Sequence, residues 1–189
     1  MTIAERKQAL RAAMRAQCRA LPATARKTFS RAACERLMGL PAFATASCIL
    51  AYKAMPHECD LQWMVSMAVS LKKRVAFPVC GDAYTLDLWA PETPDAFVRG
   101  KYGIWEPDPA RAERVENEAL DMIVVPGVAF DAACARLGQG AGYYDRLLGR
   151  ACAAKIGVCF PLQIVPEVPV DAHDITLDAV VTADTVFSR

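Results

Sequence analysis

Eleven consecutive residues, Arg136-Leu137-Gly138-Gln139-Gly140-Ala141-Gly142-Tyr143-Tyr144-Asp145-Arg146, hold the densest chemical information in this chain. Glycines let backbone N–H groups converge on an anion, and a helix starting there adds about half a positive charge. Arg136 and Arg146 supply whole ones, so the chemistry this stretch suits is phosphate binding. No Gly-Lys-Ser/Thr follows, and the spacing does not fit Gly-x-Gly-x-x-Gly. On spacing alone, a flexible turn capped by a helix explains the glycines equally well. Asp145 falls in the first turn of the expected helix, where a carboxylate is stabilised with or without a task. Beside phosphates it is also what Mg²⁺ requires, because the ion takes one or two protein oxygens and completes its shell with water and phosphate. Asp174, in His173-Asp174, can supply the second oxygen; its plainer role is a turn or N-cap residue.

Lys7, Arg11, Arg15 and Arg19 recur every four residues and form one basic stripe on a helix. Such a stripe is ordinarily solvated, but if its start faces the glycine loop, Lys7 and Arg11 reach the outer phosphates of a nucleotide. Glu58 is the acid nearest the end of an expected strand, and ligands of parallel sheets gather at that edge. It can accept hydrogen bonds from an amino-bearing heterocycle, or be a solvated loop acid. Tyr102, Trp105, Tyr143 and Tyr144 can stack on a flat ring, although aromatics more often fill cores. His57 and His173 fall in no Ser-His-Asp or Cys-His order, and neither receives a catalytic role.

The elements that must position these residues are legible in outline. Leu10, Met14, Cys18 and Leu21 mark one face of a helix over residues 4–21, which Pro22 ends, and a second helix covers residues 23–38. Residues 47–52 read as a buried strand, followed by a helix over residues 60–73 with Asp60 as N-cap. Residues 74–79 read as a strand whose Pro78 marks an end or an edge; residues 86–90 are a further strand. Residues 91–118, rich in proline and charge, read as one long surface connection. Residues 119–125 form the clearest buried strand and lead through Pro126-Gly127 into the glycine loop. Residues 155–160 and 179–182 supply two more. Strands alternating with helices predict a mostly parallel sheet covered on both faces.

At 189 residues the chain suits one domain, and a formal charge of +1 argues against broad nucleic-acid affinity. Its eight scattered cysteines, without a Cys-x-x-Cys pair, predict reduced thiols, a reducing cytoplasmic compartment and no zinc. No run approaches a membrane span. The first 36 residues, Arg-rich and acid-poor, look like a transit peptide, but Lys7 and Arg11 have the better use above.

These residues together resemble the 5-formyltetrahydrofolate cyclo-ligases, also called methenyltetrahydrofolate synthetases. The resemblance is carried by Pro126-Gly127-Val128-Ala129-Phe130-Asp131, then Arg136-Leu137-Gly138 and Gly142-Tyr143-Tyr144-Asp145-Arg146. Lys7 and Arg11, Glu58, Gly103-Ile104 with Glu106-Pro107, Gln163 and His173-Asp174 support it in order. The resemblance implies a three-layer α/β/α fold related to sugar-phosphate isomerases and CoA transferases. It also implies ATP- and Mg²⁺-dependent closure of 5-formyltetrahydrofolate to 5,10-methenyltetrahydrofolate through a phosphorylated formyl group. Nucleotide positions would fall on Lys7, Gln8, Ala9, Leu10 and Arg11 and on residues 136–144. Folate contacts would fall on Lys53, Glu58, Gln139, Gly140, Ala141, Gly142 and Tyr143, and the Mg²⁺ carboxylates would be Asp145 and Asp174. Lys7, Arg11, Arg136 and Asp145 would carry catalysis. The implied partners are small molecules, with no nucleic acid, no membrane and a monomeric chain. Two positions depart from the family pattern, Cys134 and Ala141, where glycine is usual; a left-handed backbone at 141 would cost alanine roughly 1 kcal/mol. The competing reading is a regulatory binder that keeps the nucleotide and folate sites without turnover.

Overall fold

A computed structural model describes residues 1–93, 95–100 and 103–189, so Tyr102 lies outside the described residues. In chain order the helices are α1 (Ile3–Ala20), α2 (Ala23–Met38), α3 (Pro41–Thr45), α4 (Gln62–Ser70) and α5 (Tyr143–Leu148). The strands are β1 (Cys48–Leu50), β2 (Arg74–Cys80), β3 (Leu86–Pro91), β4 (Phe97–Arg99), β5 (Trp105–Pro107), β6 (Ala112–Val115), β7 (Met122–Val125), β8 (Ala129–Phe130), β9 (Arg136–Leu137), β10 (Ala154–Val158), β11 (Ala179–Val181) and β12 (Val186–Ser188).

α1 begins one residue earlier than its apolar spacing predicts because Thr2 and Glu5 form a reciprocal capping box. Asp60 accepts from the Gln62 N–H but is not the N-cap of α4: that residue is Leu61, which makes no side-chain cap bond, and the helix spans Gln62–Ser70 rather than residues 60–73.

An eight-stranded sheet runs β12-β11-β10-β7-β1-β2-β3-β6. Its five central strands, β11 to β2, are mutually parallel, while β12, β3 and β6 add antiparallel edges. Side chains alternate between the faces as strand geometry requires. Ile49, Val75, Met122, Val124, Ile156 and Val181 meet α2, α3 and α4, whereas Leu50, Ala76, Ile123, Val125 and Val180 meet α5 and the loops around it. This is the expected α/β layering around a mostly parallel sheet. The second helical layer is thin, since α5 has six residues and loops complete the cover.

Two expectations need correction. Residues 91–118 are not one connection: β4 and β5 form their own ladder, and β6 is the sheet's edge strand. Charge hides β6, whose Glu113 and Arg114 are exposed as edge strands require. Pro78 sits neither at the end of β2 nor at the sheet edge. It pairs in register with Leu88 of β3, and β1 has already ended opposite Ala76, so the missing N–H breaks no bond on that side. β12, the short hairpin β8–β9 and α3 also escape sequence periodicity, being two to five residues long.

Among the described residues no helix is long and apolar enough to cross a membrane. Among the described residues no disulfide joins any of the eight cysteines.

Candidate active site

The carboxyl ends of β1, β2 and β7 and the loop after β9 enclose two adjoining clefts. One, about 340 Å³, is largely aromatic and apolar, walled by Tyr52, Phe77, Ile104, Trp105, Pro126, Tyr143 and Tyr144, with Lys53 and Glu58 at its polar side. The other, about 610 Å³, is polar and lined by Lys7, Arg11, Arg146, Asp171, His173 and Asp174. Arg136, Gly138, Gly140, Ala141, Gly142 and Asp145 line both and form the wall between them.

α1 reaches this wall because Leu10 and Met14 seat on Val128, Ala129 and Leu137 of the β8–β9 hairpin. The adjacent face then presents Lys7, Arg11 and Arg15 to the loop. Arg11 Nε donates to the Gly138 carbonyl at 2.8 Å, Arg15 Nη2 to the Gln139 carbonyl at 3.3 Å, and Arg146 Nη1 to the Ala141 carbonyl at 3.2 Å. Three arginines thus hold the loop by its carbonyls. Among the described residues, no protein acceptor takes the backbone N–H groups of residues 138–142. Unpaired N–H groups in a loop crowded by cations suit an anion. Burial and Arg15 push the Arg11 guanidinium below its ordinary pKa, with Arg136 adding to them against Asp174 and Asp145. A bound anion would relieve that repulsion. α5 sums few peptide dipoles, so arginine charge outweighs helix polarity here.

Left-handed backbone occurs at Gly140 (φ 110°) and Gly142 (φ 74°), and Ala141 is not among the positive-φ residues. Alanine therefore carries no such strain at 141. The strained departure is Cys134, fully buried with φ 64°, in the turn that Asp131 organises through bonds from the N–H groups of Ala133, Ala135 and Val168.

The expected metal carboxylates each hold a cation. Asp145 Oδ1 accepts from Arg136 Nη2 at 2.6 Å, and Asp174 Oδ2 from Lys7 Nζ at 2.5 Å. Asp171 Oδ2 shares Lys7 at 2.7 Å, a partner that sequence reading missed although the Asp171-x-x-Asp174 spacing was available to signal it. Burial pulls the Lys7 ammonium down, but the two carboxylates more than reverse it. Burial likewise works to raise the Asp174 carboxyl, and Lys7 with the Asp171 N–H outweighs it, leaving its pKa low.

Glu58 Oε2 accepts from the Met55 N–H at 3.0 Å. Packing by surrounding protein raises its carboxyl, against that bond and one from the Gln139 side chain. Gln139 Oε1 accepts from Arg15 Nη2 at 2.7 Å, so α1, the loop and Glu58 form one hydrogen-bonded chain. Among the described residues, the Tyr144 hydroxyl and Arg136 Nε are buried without hydrogen-bond partners, orphans that a bound molecule or water could satisfy.

Of the other expected nucleotide positions, Leu137 lines the polar cleft, but Gln8, Ala9 and Leu10 do not. Gln8 and Ala9 are exposed, and Leu10 packs on the hairpin, because only every third or fourth residue of α1 can face the loop. Gln139, Tyr143 and Tyr144 line the apolar cleft alone. Gln163 is a brace: it accepts from the Phe160 N–H and donates to the Gly127 and Val128 carbonyls. His57 lies outside both clefts, and burial with Arg19, Arg15 and Arg26 lowers its pKa.

The model of the 5-formyltetrahydrofolate cyclo-ligase family matches residues 3–183. The chain belongs to that family. It is 31% identical over 170 residues to a probable 5-formyltetrahydrofolate cyclo-ligase of Schizosaccharomyces pombe, covering 82% of this chain and 83% of that one. It is 30% identical over 182 residues to the 5-formyltetrahydrofolate cyclo-ligase of Escherichia coli, covering 92% and 98%. A solved structure of Aquifex aeolicus 5,10-methenyltetrahydrofolate synthetase superposes with a TM-score of 0.84 at 33% identity, covering 96% of this chain and 92% of that one. In this cyclo-ligase family member, every residue that lines the paired clefts falls within the matched span.

Proposed function

We propose that the chain is a 5-formyltetrahydrofolate cyclo-ligase, using ATP to convert 5-formyltetrahydrofolate to 5,10-methenyltetrahydrofolate, ADP and phosphate. The observation that carries this is the shared wall. An apolar, aromatic cleft with a half-buried carboxylate meets a cationic cleft across one glycine loop, so a flat folate and a triphosphate would abut at Arg136 and Asp145.

A formyl group on nitrogen is an amide, weakly electrophilic, and its oxygen leaves poorly. In the proposed sequence the formyl oxygen attacks the γ-phosphate, an O–P bond forms and ADP departs. N10 then bonds to the activated carbon, the C–O bond breaks, phosphate leaves and N10 gives up its proton. Glu58 would accept N–H bonds from the pteridine and orient it. The loop N–H groups with Lys7, Arg11 and Arg136 would align the phosphates and balance charge as it moves.

Asp145 and Asp174 line the same cleft, and each keeps one carboxylate oxygen outside its ion pair. Hard oxygen donors of this kind fit Mg²⁺. Among the described residues no three His, Cys, Asp or Glu side chains group for a metal, so an ion here would take most of its shell from phosphate and water. When bound, Mg²⁺ would neutralise phosphate charge.

The test follows near-ultraviolet absorbance of the methenyl product with purified protein, 5-formyltetrahydrofolate, ATP and Mg²⁺. The band is expected to grow only with all three present. Binding of both substrates with no band would instead favour the regulatory reading.

A further inference from the structure

Two cations stand on aromatic faces at the apolar cleft or beside it, and neither lines the polar one. Lys53 Nζ lies 5.1 Å from the Phe97 ring centre, and the Arg99 guanidinium carbon 4.4 Å from that of Trp105. Neither has a carboxylate partner among the described residues. Arg99 and Trp105 are direct cross-strand partners in the β4–β5 ladder, and Phe97 of the same ladder packs edge-on against Phe77 of β2 at 5.1 Å. The ladder is therefore anchored to the sheet; its Arg99 sits on the Trp105 ring and donates through Nη1 to the Gly103 carbonyl, while Lys53, from the loop after β1, sits on the Phe97 ring. Trp105, 44% exposed, lines the cleft with Lys53, while Arg99 stands beside them in solvent. Lys53, Arg99 and Trp105 are absent from the lining of the polar cleft, where Lys7 and Arg11 stand.

We propose that Arg99, with Lys53 and Trp105, is a subsite for the aryl-carboxylate end of the substrate. This rests on the folate reading above. With the pteridine at Glu58 and the formyl group at the shared wall, the remainder of a folate is a flat benzoyl ring followed by carboxylates. Trp105 offers a ring to the first, and Arg99 a fork of donors to the second. A guanidinium already stacked on indole loses little freedom on pairing, which makes it a selective element for anionic tails. The subsite separates substrates by carboxylate content, whereas the loop and Glu58 treat them alike.

The experiment compares KM for three substrates, a tail-less 5-formyl-6-(anilinomethyl)tetrahydropterin that keeps N10 but carries no carboxylate, the corresponding pteroate and 5-formyltetrahydrofolate, in wild type, Arg99→Gln and Arg99→Lys. For wild type, KM should fall across the series, and the fall should shrink with added salt. Arg99→Gln should raise KM for the folate about tenfold while its KM for the tail-less compound matches wild type. Arg99→Lys should restore part of the difference. Equal shifts for the folate and the tail-less compound, or no shift for either, would overturn the subsite. A wild type that neither turns over nor is thermally stabilised by any member of the series would overturn the folate reading, and the subsite with it.

Discussion

Glu58 is held where water solvates its charge poorly, and its carboxyl is raised accordingly. Above the ordinary glutamate value of about 4.3, the unfolded chain releases this proton while the folded chain keeps it, so stability falls as pH rises until the folded carboxyl ionises too. Glu58→Gln should therefore melt higher than wild type at neutral pH, with the gap closing near about pH 4, and should raise the KM for folate. Thermal denaturation across pH checks the first part; a gap independent of pH would contradict it. Asp174 has the opposite sign. Its lowered pKa contributes stability above the ordinary carboxylate value, lost as pH falls through the folded one, and the raised Lys7 contributes stability lost only as pH rises through its own. At Asp145, asparagine keeps an acceptor for Arg136 but removes the charge. Asp145→Asn should fold normally, turn over at least tenfold more slowly, and need more Mg²⁺, as steady-state kinetics against Mg²⁺ would show. Unchanged turnover at low Mg²⁺ would remove that role.

At the scale of elements, α1 places Lys7 about one turn beyond its capping box. Thr2→Ala should cost about 1 kcal/mol of stability by freeing the first turn, and should raise the KM for ATP more than that for folate. The turn at Cys134 is the strained joint of the site's supporting hairpin. Cys134→Gly removes the left-handed penalty while Cys134→Ala keeps it, so the glycine variant should melt above the alanine one although it buries less. A lower melting point for the glycine variant would contradict this. Legibility followed the same division. α1 and α2 could be read nearly to the residue because apolar spacing and Pro22 agree. The signature from Pro126 to Arg146 marked the stretch that forms the wall between the two clefts. The β4–β5 ladder and β6 could not be read, since their pairing lies in backbone bonds while their side chains are proline, charge and exposed aromatics. Asp171 was missed because its partner Lys7 lies 164 residues away, and the Asp171-x-x-Asp174 spacing shows two neighbouring acids without showing what they hold. Within α1, a contiguous run of nucleotide contacts over residues 7–11 ignored the helical period that turns Gln8 and Ala9 away.

At the scale of the molecule, the parallel centre of the sheet brings the ends of β1, β2 and β7 to one edge, and α1 crosses from the opposite end of the chain's order to close that edge against the loop. Neither cleft alone would suit the chemistry: the aromatic one lacks the phosphate cradle, and the cationic one lacks a flat apolar slot. In the proposed reaction, their common wall would let an oxygen on one substrate reach phosphorus on the other. That claim is tested most directly with 5-formyltetrahydrofolate carrying heavy oxygen in the formyl group, turned over with ATP and Mg²⁺, followed by mass analysis of the phosphate released. Direct attack across the wall predicts one heavy oxygen in each phosphate. Heavy oxygen lost to water, with phosphate unlabelled, would contradict it.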